Sequence, residues 1–255
     1  SDLKKESEVA THAKELAQQF MMQIPDIKRL LLTDIEAIAL RDPAVNNFGE
    51  VVFSYPAITV MLHHRTAHAL YKLGVPIIPR IIAEQAHSLT GIDIHPAATI
   101  GEYFAIDHGT GVVIGETTVI GDNVTLYQGV TLGGTGKECG KRHPTIGDNV
   151  MISVGAKVLG SFKVGDNSKI GAGSVVIEEV PPNCTVVGVP GRIVKQDNLR
   201  VPRETMDQIH LPDPVRDDIN VLKHENSELV SRLIELENRF RELDRRTKDK
   251  KDEDI

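Results

Sequence analysis

The sequence predicts an α+β chain, with a helical domain first, a parallel β-solenoid behind it and a coiled-coil helix near the end. Three observations carry this. Apolar residues recur every three to four positions up to about Thr90, a branched aliphatic then returns every six residues from Ile94 to Val176, and after Pro214 apolar residues alternate steps of four and three. The expected divisions are a helical domain at 1–90, the solenoid at 91–195, a linker at 196–214, the coiled coil at 215–246 and a disordered charged tail at 247–255.

In the helical part the apolar spacing is clearest in residues 15–22, 27–40 and 58–73. Proline and glycine mark the expected breaks, because proline lacks the N–H that a helix interior needs yet suits a first turn. Pro25 is expected to interrupt the first two segments, Pro43 follows Asp42 just past the second, Pro56 suits a helix start and Gly74 a stop.

The solenoid rests on thirteen anchors: Ile94, Ile100 and Ile106, then Ile114, Ile120, Leu126 and Leu132, then Ile146, Ile152, Val158, Val164, Ile170 and Val176. Glycine follows many of them directly. A six-residue unit has room for one short strand and one turn, so its aliphatic points inward and small residues let the backbone reverse. Three such units close one triangular coil, and coils stack. The phase breaks twice. The step from Ile106 to Ile114 is eight residues and holds Asp107, His108, Gly109 and Thr110; the step from Leu132 to Ile146 is fourteen and leaves 133–144 as a projecting loop. Insertions of this kind spare the core and decorate one face, and both carry histidine.

Val215, Ile219, Leu222, Asn226, Leu229, Leu233, Leu236, Phe240 and Leu243 form the heptad stripe, with Asn226 at an a position, where asparagine fixes register at a cost in stability. An amphipathic helix packed back on the solenoid would carry the same stripe. Residues 241–254 hold twelve charged side chains among fourteen, a composition that favours disorder.

A net charge of −7 leaves no broad basic surface for a phosphate backbone, which argues against a nucleic-acid partner. The sequence has no run of about 18 apolar residues and no apolar leader, so it reads as a cytoplasmic protein without a membrane partner. Cys139 and Cys184 have neither a metal-ligand spacing nor a disulfide framework and read as free thiols.

Several motifs are more specific. They are Arg-Asp-Pro-Ala at 41–44, Asp-Ile-His-Pro-Ala-Ala at 93–98, Asp-His-Gly-Thr-Gly-Val-Val-Ile-Gly-Glu at 107–116, Thr-Leu-Gly-Gly-Thr-Gly-Lys at 131–137, Arg-His-Pro at 142–144 and Gly-Val-Pro-Gly-Arg-Ile-Val at 188–194. In this order, over roughly residues 30–195, they resemble the serine acetyltransferases of the hexapeptide-repeat acyltransferases. Gly109 after His108, where the family often has alanine, and the charge of Lys141 are mild departures that remove no functional group.

The resemblance implies a left-handed parallel β-helix that moves an acetyl group from acetyl-CoA, as co-substrate, to the hydroxyl of L-serine, with no metal. It implies His108 as general base, held by Asp93. An imidazole titrating near neutrality suits that task, and a carboxylate on one ring nitrogen fixes the tautomer. Asp93 lies fifteen residues before His108, close to one coil of about eighteen, which agrees with the pairing. By the same resemblance Asp42 and Asp107 take the substrate ammonium while Arg142 and His143 take its carboxylate, for which a guanidinium offers a forked pair of donors. Asp42, just before a proline, also suits a helix-end turn. For acetyl-CoA, Gly134, Thr135, Gly155, Ala156 and Ala172 leave room for a thin pantetheine arm and Lys169 is available to a phosphate, although turns need such small residues too. His95 reads as structural. The family further implies a homotrimer or dimer of trimers with sites between neighbouring solenoids, L-cysteine as feedback inhibitor, and O-acetylserine sulfhydrylase as a partner bound through Ile255.

Other readings stay open. His95, His108 and His143 invite comparison with trimeric hexapeptide-repeat carbonic anhydrases, which share three zinc-binding histidines across an interface; those carry two histidines five residues apart, and these three do not. A scaffold would leave the polar motifs unexplained. Another hydroxyl acceptor fits the same chemistry.

Overall fold

The computed structural model describes residues 2–136, 139–197, 219 and 221–236. They fall into two units, one within residues 1–212 and one within 213–255. The first begins with α1 (Asp2–Arg41), a helix of 40 residues that continues through Pro25. The expected break there does not occur. Proline removes one N–H and crowds the carbonyl four residues back, but Met21 and Pro25 are both exposed, so water can take up that carbonyl. Helix α2 (Phe48–Ser54) is capped by the Asn47 side chain, α3 (Pro56–Lys72) has its proline in the first turn, and α4 (Ile78–Thr90) ends on Gly91 at φ 70°. Gly74, past the end of α3, is left-handed at φ 75°, as a helix stop requires.

Fifteen short strands follow among the described residues, in three sheets that are the faces of a solenoid. All pair in parallel except the last, Arg192–Lys195, which turns back on Thr185–Val187. Every one of the thirteen anchors lies in a strand and none is more than 8 % exposed. Register measures the coil. Ile146 sits against Val164, Ile152 against Ile170 and Val158 against Val176, a regular 18 residues apart. Ile94 against Ile114 is 20, because the first insertion adds two; Ile120 against Ile146 is 26, because the loop adds eight. The core passes both insertions undisturbed, with Ile106, Ile114, Leu132 and Ile146 at most 2 % exposed. Beyond Val176 the core continues through Val180, bridged to Val164, and Val186, paired with Ile170.

Two arginines fasten the helices to the solenoid. Buried Arg65 of α3 donates from Nε and Nη2 to the Asp34 carboxylate of α1 at 2.7 and 2.8 Å, and from Nη2 to the Gly101 carbonyl at 2.8 Å. Arg41, the last residue of α1, donates to the Tyr103 carbonyl at 3.2 Å, to Thr125 Oγ1 at 3.0 Å and to the Asn123 side chain. Asp42, the next residue, is thereby set against the first coils.

The second unit is helical over residues 221–236 and exposed throughout. Val215, Phe240, Leu243, most of the expected linker and the tail at 247–255, Ile255 included, lie outside the described residues. No described helix is long and apolar enough to cross a membrane.

Candidate active site

The first insertion builds an acidic corner. Asp107 ends the strand Ala105–Asp107, and His108 turns the chain with φ 56°, a left-handed conformation that histidine adopts more readily than most residues. Gly109 follows at φ 87°, where a Cβ would meet Ile92 Cδ1 at 2.5 Å, so the turn is drawn in against the core and the imidazole is left outside. The His108 side chain is 71 % exposed, with Nε2 3.9 Å from Asp107 Oδ1. Asp42 comes to the same corner. Its Oδ1 accepts from Ala44 N–H at 2.8 Å, which is the helix-end turn the sequence allowed, while Oδ2 accepts from the Tyr55 hydroxyl at 2.6 Å. Burial pushes the Asp107 carboxyl up, His108 opposes this and the Asp42 charge adds to it. Tyr55 is pushed up to about 12, chiefly by its hydrogen bond to Asp42.

Asp93 opens the coil that His108 closes. Its N–H donates to the Val112 carbonyl at 2.9 Å, and because this coil has 20 residues the position stacked on Asp93 is Val113, five past His108. The two share a corner, but no hydrogen bond joins Asp93 to His108 among the described residues.

The second insertion builds a basic corner. The loop returns over Thr117, whose Oγ1 accepts from the N–H groups of Arg142 at 3.0 Å and His143 at 3.1 Å. Thr117 N–H donates to His143 Nδ1 at 3.1 Å, and the Thr117 carbonyl accepts from Lys141 Nζ at 2.7 Å. With Nδ1 an acceptor, neutral His143 carries its proton on Nε2. His143 lies over Gly115, where a Cβ would come within 2.1 Å of its Cδ2. Burial, and then the Arg142 charge, push the imidazole below its usual range. The Arg142 guanidinium pairs with Glu116, whose carboxyl that hydrogen bond holds low. His95 borders this corner with its Nδ1 accepting from Ala97 N–H at 3.1 Å and its ring edge-on to Tyr71, a structural role.

The two corners are opposite ends of one face. His108 precedes the strand Val113–Ile114, and Glu116 and Thr117 follow it. The five residue steps from 112 to 117, with the strand Val113–Ile114 among them, reach at most roughly 16 Å at about 3.3 Å each. One chain therefore brings Asp42, Asp107 and His108 together, and Arg142 and His143 together, without joining the two groups.

Of the residues assigned to acetyl-CoA, Gly155 and Ala172 stand at the corner that His108 occupies lower down, one coil apart. Gly134 and Thr135 open the projecting loop, and Lys169 lies on the neighbouring face, paired with Met151. Ala156 has no exposed surface and its side chain belongs to the core, which leaves only its backbone to border a ligand. Lys137 lies outside the described residues. Among the described residues no three or more His, Cys, Asp or Glu side chains are arranged to hold a metal ion.

Tyr55, Glu116 and Thr117 emerge only from the structure. Glu116 ends a recognised motif, but nothing in the sequence links Tyr55 to Asp42 or Thr117 to His143.

Residues 143–178 match the bacterial transferase hexapeptide (six repeats) family. The chain is 52 % identical over 208 residues to a serine acetyltransferase of Bacillus pumilus, covering 82 % of this chain and 95 % of that one. Among solved structures it resembles a serine acetyltransferase in complex with cysteine, with TM-score 0.73, 40 % identity and coverage of 77 % of both chains. Two more are the Neisseria gonorrhoeae enzyme in complex with serine, with TM-score 0.67, 42 % identity and coverage of 71 % of this chain and 74 % of that one, and the Brucella abortus enzyme in complex with coenzyme A, with TM-score 0.68, 44 % identity and coverage of 71 % and 73 %.

Proposed function

This chain belongs to the serine acetyltransferase family and is an acyltransferase; from that premise we propose how its own residues move an acetyl group from acetyl-CoA to the hydroxyl of L-serine. One observation carries the choice of acceptor. Asp42 and Asp107 are crowded enough that burial and mutual repulsion raise the proton affinity of Asp107, and an ammonium set between them relieves both. A sugar hydroxyl would not.

His108 is the general base. Its Nε2 takes the proton from the serine hydroxyl as the oxygen attacks the acetyl carbonyl; when the tetrahedral intermediate collapses, the carbon–sulfur bond breaks and the imidazolium returns the proton to the leaving thiolate. Asp93, at the same corner, orients the ring and stabilises its charged form once substrate is bound; apo hydrogen bonds of this kind tighten in the complex.

Arg142 and His143 take the carboxylate. Arg142 already holds one carboxylate, Glu116, so the guanidinium has the right partner chemistry and is kept in place between turnovers. The separation of the two corners supports a site assembled between neighbouring solenoids of a trimer, with the acidic corner of one chain facing the basic corner of the next. The acetyl-CoA arm then runs along the corner of Gly155 and Ala172, with Gly134 and Thr135 beside it and the Lys169 ammonium available to a phosphate. A serine site of this polarity also accepts L-cysteine, which differs only in its thiol, and that is the basis for feedback inhibition.

The test is thiol release from acetyl-CoA across a panel of L-serine, L-threonine, ethanolamine and sugars. L-serine should be turned over best and ethanolamine, lacking the carboxylate, should be poor. His108→Ala should lower kcat by about 10²–10⁴. Equal turnover of ethanolamine, or a His108→Ala variant with near-normal kcat, would overturn the assignment.

A further inference from the structure

We propose that residues 219–236 pair, in parallel and in register, with the same residues of a second copy of this chain. The helix carries an exposed apolar stripe. Ile219, Leu222, Leu229, Leu233 and Leu236 are between 45 % and 64 % exposed, and all stand at a or d positions. The opposite face is polar and satisfied by its own helix: Ser227 and Ser231 hydroxyls donate to the carbonyls of Lys223 and Ser227 at 2.9 and 3.0 Å, and His224 lies 3.9 Å from Glu228. Val230, at an e position, widens the apolar side.

Asn226 identifies the occupant. It stands at an a position in the middle of this stripe, where any apolar partner would bury its amide without hydrogen bonds. In an antiparallel pair a residues face d residues, so Asn226 would meet a leucine at every register. A parallel pair shifted by one heptad sets it against Ile219 or Leu233. Only the parallel, unshifted pair brings Asn226 against Asn226, where each amide has a donor and an acceptor for the other. The charges that border the stripe agree. In a parallel pair a g residue faces the e residue five further along the partner, and the sequence sets Asp218 five before Lys223 and Glu237 five after Arg232.

The test uses the full-length protein carrying Cys139→Ser, which removes the exposed thiol. Leu222→Cys and Leu236→Cys are made separately in it and mildly oxidised. Both should give chain-to-chain disulfides on a non-reducing gel, because each residue meets its own counterpart. The positions are fourteen residues apart, roughly 21 Å of helix, so no antiparallel pair can link both. Ser231→Cys, on the outer face, should link far less. Circular dichroism on each variant checks that the helix persists. Linking at neither or only one of 222 and 236, or linking at 231 as strong as at 236, would overturn the proposal.

Discussion

Tyr55 shows how much of the site depends on residues that make no contact with chemistry of their own. Its hydroxyl holds Asp42 Oδ2 at 2.6 Å across thirteen residues of chain, and Thr117 ties down Arg142 and His143 from about twenty-five residues away. If Tyr55 orients the carboxylate that takes the ammonium, Tyr55→Phe should raise KM for serine about tenfold, the value of one hydrogen bond to a charged group, with kcat little changed. A double-mutant cycle in steady-state kinetics checks the route, since Tyr55→Phe should add nothing to Asp42→Asn. The pairing of Asp107 with His108 and of Arg142 with His143 was legible in the sequence because each pair lies at a break in the six-residue phase, where a solenoid displays polar groups, whereas the roles expected of them came from the family resemblance. Tyr55 and Thr117 were not, because a hydrogen bond between distant segments leaves no period behind. The inward placement of Ala156 follows from its standing two residues before the inward anchor Val158, since alternate residues of a strand share a face.

At the scale of elements, the six-residue phase anticipated every strand from Ile94 to Val176, because each strand's one buried branched aliphatic is also its strongest sequence signal. Where the phase compresses to four residues, at Val180, the sequence pattern ended before the core did. Helix α1 went the other way. Pro25 is a local signal for a break, and it is overridden because its surroundings are wet. The helical domain also holds a pH response. His64 of α3 is 3 % exposed, burial holds its imidazole well below the ordinary 6.5, and its Nδ1 has no hydrogen-bond partner among the described residues. The unfolded chain then binds this proton more readily than the folded one, so stability is full above pH 6.5 and falls as the pH drops through and below that value. The slope from this one group approaches about 1.4 kcal/mol per pH unit. Urea unfolding between pH 5 and 7 should show that loss in the native protein and a flatter profile in His64→Leu, which also removes the orphan nitrogen.

For the whole molecule, the question is why the residues proposed to bind serine and to move its proton lie at two ends of one face. A three-sided solenoid offers corners, and a corner of one copy can meet a different corner of the next when three chains close a ring about a threefold axis; such contacts are heterologous, pairing unlike patches. In the proposed arrangement the acidic corner supplies the base and the ammonium site and the basic corner supplies the carboxylate site, so each chain would give half a site to either neighbour. Complementation follows. His108→Ala and Arg142→Ala proteins should each be nearly inactive alone. If they are unfolded and refolded together in equal amounts, an intact site forms wherever an Arg142→Ala chain presents its acidic corner to the basic corner of a His108→Ala chain. Random assembly puts each of those choices at one half, so the mixture should recover about a quarter of the wild-type activity. Acetyl-CoA turnover of the refolded mixture measures it directly. A site contained within one chain recovers nothing, since every chain then carries one defect in its own site, and activity no higher than the separately refolded variants would therefore exclude the shared arrangement.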